Sequence, residues 1–84
     1  MKGVIKHINA PRGMVAVLTE DGSYSVFELL GGNSIEIGDV VSWKNDTGLG
    51  GEQITNHTQN ERFEVYFQNH YVHQNQLRQQ LLYT

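Results

Sequence analysis

The stretch Lys2–Leu18, KGVIKHINAPRGMVAVL, limits the fold of this chain more than any other part of it. Lys2 to Asn9 is rich in Val and Ile, whose branched side chains favour a pleated, half-buried surface. Asn9-Ala-Pro-Arg-Gly13 then breaks the pattern. Pro11 fixes its own φ and has no N–H, while Gly13 tolerates backbone angles that other residues resist, so the chain turns here. Met14 to Thr19 resumes the β pattern, and the two segments predict a β-hairpin.

The rest of the chain repeats this rhythm of short apolar runs and turn residues. Glu20-Asp-Gly-Ser23 predicts a turn, Tyr24 to Leu30 a third strand, and Gly31 to Ser34 its end. Ile35 to Gly38 is a short connector. Val40 to Lys44 predicts a fourth strand with Val41 and Trp43 inward, Asn45 to Gly51 a polar loop, and Glu52 to His57 a fifth strand anchored by Ile54. Arg62 to Phe67 alternates most cleanly, with Phe63, Val65 and Phe67 on one face and Arg62, Glu64 and Tyr66 on the other. Gln68 to His70 interrupts it. Leu77 and Leu81, four apart among good helix formers, then predict a short helix from about His73 to Leu82. Five short strands and no long helix imply a mainly β fold, a small closed barrel of OB type that removes exposed sheet edges, with an SH3-like barrel as the alternative. In that reading residues 1–58 are the five-stranded barrel, and residues 59–84 are an added strand and helix packed on the same domain. Ile5, Ile8, Val15, Val17, Val26, Val41, Trp43 and Ile54 are the expected inward positions.

Composition narrows the chemistry. The chain has no cysteine, which excludes disulfides, thiolate metal sites and nucleophilic thiol chemistry. There is no apolar run near the ~20 residues of a membrane span and no signal-peptide pattern, so a cytoplasmic protein is the expectation. The two Asn-x-Thr sequons, at Asn45 and Asn56, carry no weight without a secretion signal. The formal charge of −3 argues against strong, indiscriminate nucleic-acid binding. Its distribution is uneven: Lys2, Lys6 and Arg12 stand in residues 1–18 without an acid, whereas residues 19–64 hold all nine acids against Lys44 and Arg62.

The first segment also resembles a known family. Lys2-Gly3-x-Ile5-Lys6-x-Ile8-Asn9-x-x-Arg12-Gly13 is similar to the opening of the cold-shock domain, KGxVKWFNxxKGFGFI. Asp21-Gly22-Ser23 with Val26-Phe27, and Gly38-Asp39-x-Val41-x-Trp43, resemble two later motifs of that family in order and spacing. The resemblance implies an OB barrel whose outward aromatic side chains stack on the bases of single-stranded RNA or DNA. By position, the family's Trp falls on His7, its first Phe pair on Met14 and Ala16, and its second aromatic pair on Phe27 and Leu29. The resembling register turns Val26 and Glu28 inward and Phe27 outward. Plain alternation does the reverse, sending Phe27 and Leu29 to the core and Glu28 to water. A slip of one residue inverts every side chain, so the two readings define different surfaces.

The expected function is weak binding of single-stranded RNA or DNA by a non-enzymatic module, with Lys2, Lys6, His7, Arg12, Met14, Phe27 and Lys44 as the contact residues. The alternative is a protein-interaction or homodimerisation module on an OB scaffold, working through residues 62–82 and without nucleic-acid binding. No catalytic grouping, cofactor motif or metal set stands out. His70-x-x-His73 has ligand-like spacing but no completing Cys or carboxylate, and Gly48-Leu-Gly-Gly51 lacks the Lys and the following helix of a phosphate-binding loop.

Overall fold

A computed structural model describes residues 1–31 and 34–82 of the chain. Of the turn expected at Gly31–Ser34, Gly32 and Asn33 lie outside the described residues. Among the described residues six strands form the wall: β1 (Lys2–Asn9), β2 (Met14–Thr19), β3 (Tyr24–Leu29), β4 (Val40–Ser42), β5 (Gly50–Asn56) and β6 (Glu61–Val72). They close in the order β1-β2-β3-β6-β5-β4, and every pairing is antiparallel. Two three-strand meanders are joined by the crossover between β3 and β4, a Greek-key arrangement that leaves β1 between β2 and β4. After β6 the described residues form a 3₁₀ turn, Gln74–Gln76, that runs into a short helix, α1 (Leu77–Gln80).

The mainly β fold, the small closed barrel and the C-terminal helix are as the sequence leads one to expect. The place of the sixth strand differs. It is not laid on a finished barrel of residues 1–58: β6 stands in the wall, paired to β3 on one edge and β5 on the other. Without it the sheet would have two open edges.

The interior is built from Ile5, Val15, Val17, Phe27, Val41, Trp43, Ile54, Phe63, Val65 and Phe67. Ile5 and Ile8 are three apart, so strict alternation would put them on opposite faces. The β1–β2 register shifts between Ile5 and His7, leaving Lys6 as a bulge residue, and both isoleucines then face in against Val17 and Val15. Plain alternation wins in β3. Phe27 is 0% exposed and packs edge-on against Phe67, with ring centroids 5.5 Å apart, while Leu29 flanks the same core. Val26, expected inside the barrel, is buried on the other side of the wall.

That other side is a second, smaller core. Met14, Ala16, Tyr24, Val26 and Val72 point outward from β2, β3 and β6, and Leu77 and Leu81 cover them. The C-terminal segment is held there by the Asn9 side-chain amide, which donates to the Leu81 carbonyl at 2.7 Å in a buried position. It reaches this face because β6 runs past Gln68–His70 instead of stopping. Two register shifts against β3 and a positive φ of 54° at Tyr71 turn His70 inward and Val72 outward.

Candidate nucleic-acid interface

The seven residues singled out from the sequence do not form one surface. Met14 (4% exposed) and Phe27 (0%) are buried. A side chain with no exposed face cannot meet a base, so both leave the contact set, and the cause is the register of β3 together with the C-terminal cover. His7 is half-buried, its ring 5.9 Å from that of Tyr24, and it lines a hollow beside Leu77 and Arg78. Arg12 is exposed in the 3₁₀ turn Ala10–Arg12 at the far end of the first hairpin, and Lys6 is exposed at the bulge. Lys2 and Lys44 are the pair the fold brings together.

Both stand beside Ser42. Lys2 is its partner across the β1–β4 ladder, and Lys44 follows it by two residues. Ser42 pairs with Thr55, and Thr55 pairs with Arg62. Because Val41 and Trp43 face the core, Ser42 and its partners face out, and Lys2, Ser42, Thr55 and Arg62 form one row across four strands. At ~4.8 Å between neighbouring strands, the row spans roughly 14 Å of backbone. His57 joins it through a 2.7 Å hydrogen bond between its Nε2 and the Ser42 hydroxyl. Lys2, Lys44 and Arg62 are exposed, and none has an ion-pair partner among the described residues. Acids stand close by: Glu61 and Glu64 flank the row on β6, the latter opposite Gln53, Glu52 lines the adjoining hollow, and Asp46, two residues after Lys44, pairs with the N-terminal ammonium. Arg62, Ser42 and Thr55 were not identified from sequence. The signal was present in the alternation that points Arg62 outward, but which strand lies beside it is a long-range fact.

Beside the row, where β4 ends and β5 runs on, lies a cavity of about 230 Å³ that Ser42, Lys44, Thr55 and Arg62 line together with Trp43 and Glu52. Trp43 is 4% exposed, and its buried Nε1–H has no acceptor among the described residues. The indole is fixed by Phe67, 4.8 Å away between centroids, and by His70 at 6.3 Å.

Two polar knots hold the ends of the barrel. At one, His70 stacks on Phe67, its Nε2 donates to the Gly48 carbonyl at 2.7 Å, and its Nδ1 shares a 2.8 Å hydrogen bond with the Ser25 hydroxyl. This pins the β4–β5 loop, and it separates His70 from His73, which is exposed at the start of the C-terminal segment. At the other, buried Asp39 accepts from the Glu36 backbone N–H and the Asn56 amide, and the Asn56 oxygen caps the backbone N–H groups of Thr58 and Gln59. Among the described residues no group of three His, Asp or Glu is placed to hold a metal, and no helix is long and apolar enough to cross a membrane. In the exposed β2–β3 turn, hydrogen bonds from the Thr19 and Ser23 hydroxyls and the Ser23 N–H lower the Asp21 carboxyl to about 2.

The chain matches no family model, and neither the curated proteins nor the solved structures contain a match to it. Fold and surface alone define its class: a small, closed, antiparallel β-barrel with a self-covered outer face and a separate, cation-bearing polar row.

Proposed function

We propose that this protein is a weak binder of single-stranded nucleic acid, a divergent relative of cold-shock modules that engages the phosphate backbone instead of stacking on bases. The observation that carries the reading is the outward row Lys2–Ser42–Thr55–Arg62 with Lys44 beside it, three cations without an ion-pair partner among the described residues, set among hydroxyl groups. Lys and Arg neutralise phosphates, and Ser and Thr hydroxyls fix the backbone's register without reading sequence. The similarity of Lys2–Gly13 to the cold-shock opening supports the same class of ligand. What the family does with stacked aromatic rings is not available here, because the outer faces of β2 and β3 are covered by Leu77 and Leu81. Titrating labelled oligo-dT and oligo-U at two salt concentrations, with amide chemical shifts read throughout, tests the proposal. Changes centred on Lys2, Ser42, Lys44, Thr55 and Arg62 support it; no change at millimolar strand in low salt rejects it.

One observation favours the alternative of a protein-interaction module. Val40, Val4 and Leu18 are consecutive cross-strand partners and all half-buried, lining an open apolar groove of about 530 Å³ between β4 and β2. Exposed apolar stretches of this kind are where partners dock. Within Arg62–Phe67, by contrast, Val65–Phe67 are paired on both sides, to β3 and to β5, and are closed to an added strand. Under this reading the chain does not bind the labelled oligonucleotides, and Val4→Glu abolishes self-association or partner binding in sedimentation experiments.

A further inference from the structure

We infer that the cavity at the end of β4 is a site for a phosphoryl group and, resting on the nucleic-acid reading above, that it takes the terminal phosphate of a strand in preference to internal phosphodiesters. Its wall offers donors of every kind such a group uses: the Lys44 ammonium, the forked Arg62 guanidinium, the Ser42 and Thr55 hydroxyls and the Gln53 amide. The two cations are unpaired among the described residues, and against them stands a single carboxylate, Glu52. Trp43 lines the same cavity, so its indole reports on what enters.

Shape and charge select the kind of phosphate. The cavity, at about 230 Å³, is small and walled on the β5 side, unlike the open row next to it. An internal phosphodiester enters such a space with a nucleoside on each side and brings one negative charge. A terminal monoester enters end-on, with up to two charges and three acceptor oxygens for the convergent donors. Strand end and free inorganic phosphate share this chemistry, and the experiment separates them.

The chain has one tryptophan, so its indole N–H resonance is a unique reporter. The test is a titration of the whole chain with inorganic phosphate, with oligo-dT bearing a 5′ phosphate, and with the same strand ending in a hydroxyl, following that resonance and the Ser42 and Thr55 amides. The phosphorylated strand should bind about tenfold tighter, the size of one charge-assisted hydrogen bond. Arg62→Gln and Lys44→Gln should each remove the difference with thermal unfolding unchanged, and Glu52→Gln should increase it. Equal affinity for the two strands overturns the end preference and leaves the nucleic-acid reading intact. Failure of both strands to bind overturns that reading, and an indole shift with inorganic phosphate then supports the cavity as a small-phosphate site. Silence of the indole toward all three ligands overturns the site itself.

Discussion

A β-carbon at Gly3 would lie 2.5 Å from the Leu18 carbonyl oxygen and 2.6 Å from Val17 Cγ1, so the first strand can lie this close to the second only without a side chain there. Gly3→Ala should therefore destabilise the protein by ~1–3 kcal/mol, the range for overpacking, read as a lower denaturant midpoint at unchanged slope. Phe27→Ala should cost more, about 3–5 kcal/mol, because it empties the centre of the barrel, and any change in ligand binding should follow the loss of fold. Phe27 also marks the limit of what single residues disclose. Two registers are compatible with Tyr24–Leu29, and the expected inward Val26 and outward Phe27 follow the one that turns Glu28 into the core without a partner; the structure adopts the other, in which Glu28 is half-exposed opposite Met14 and Tyr66. The cost of burying that carboxylate is the physical reason why alternation prevails in this strand. The bulge at Lys6 was implicit in two isoleucines three apart that both had to face in. Asp21 supplies a test at acid pH. Its carboxyl is depressed in the folded chain to about 2 from an ordinary 3.8, so its hydrogen bonds stabilise the fold fully above pH 3.8 and are lost as pH falls through about 2. Denaturation of the wild type and of Asp21→Asn across that window should show a gap that closes on acidification; a constant gap would mean that the turn does not depend on the charge.

At the scale of elements, every strand expected from the sequence is present, with boundaries shifted by a few residues, because each is a local pattern of branched residues between turn signals. What was not legible is where the last two elements go. β6 is the cleanest alternating segment, and alternation specifies a half-buried strand without naming its neighbours. Its pairing with β3 depends on a fit of Phe27 against Phe67 across 40 residues of chain. The terminal helix is too short to persist alone, so it depends on the outer face it covers, and Met14, Ala16 and Val26 depend on it in turn. A chain ended at Val72 should keep the barrel but expose that face, losing stability and binding a hydrophobic dye. Leu81→Ala should cost ~2–5 kcal/mol as a buried leucine does, more than the same change at exposed Leu82. Ending the chain before Glu61 should instead prevent folding, since β3 and β5 would both lose a partner. Amide exchange that finds residues 73–82 as unprotected in the intact chain as in a free peptide would contradict the packing of the segment.

For the whole molecule, charge and topology have to be taken together. The chain carries −3 overall, yet closing β1 onto β4 and β5 onto β6 collects Lys2, Lys44 and Arg62 on one polar wall, while Lys6 and Arg12 remain apart. Sequence segregation of charge suggested that the first hairpin would be the basic surface. Folding distributes it otherwise, because Lys2 and Arg12 stand at opposite ends of that hairpin. The size of the electrostatic footprint is therefore fixed by the wall. Three cations neutralise about three phosphates, and for a single strand the slope of log K against log salt is then about −2, from ~0.7 per phosphate. Raising salt from 50 to 200 mM should weaken oligonucleotide binding roughly twentyfold. Replacing Arg62 with Gln should make the slope shallower by about 0.7 without changing stability, and Lys6→Gln, away from the wall, should leave it nearly unaltered. The acidic remainder of the surface adds a repulsion that salt relieves, which acts in the opposite direction and keeps the measured slope at or below that figure. A slope near zero would remove phosphate contact as the basis of binding; one much steeper than −2 would require Lys6 and Arg12 on the strand's path as well, a longer track that wraps from the wall around β1 to the first turn.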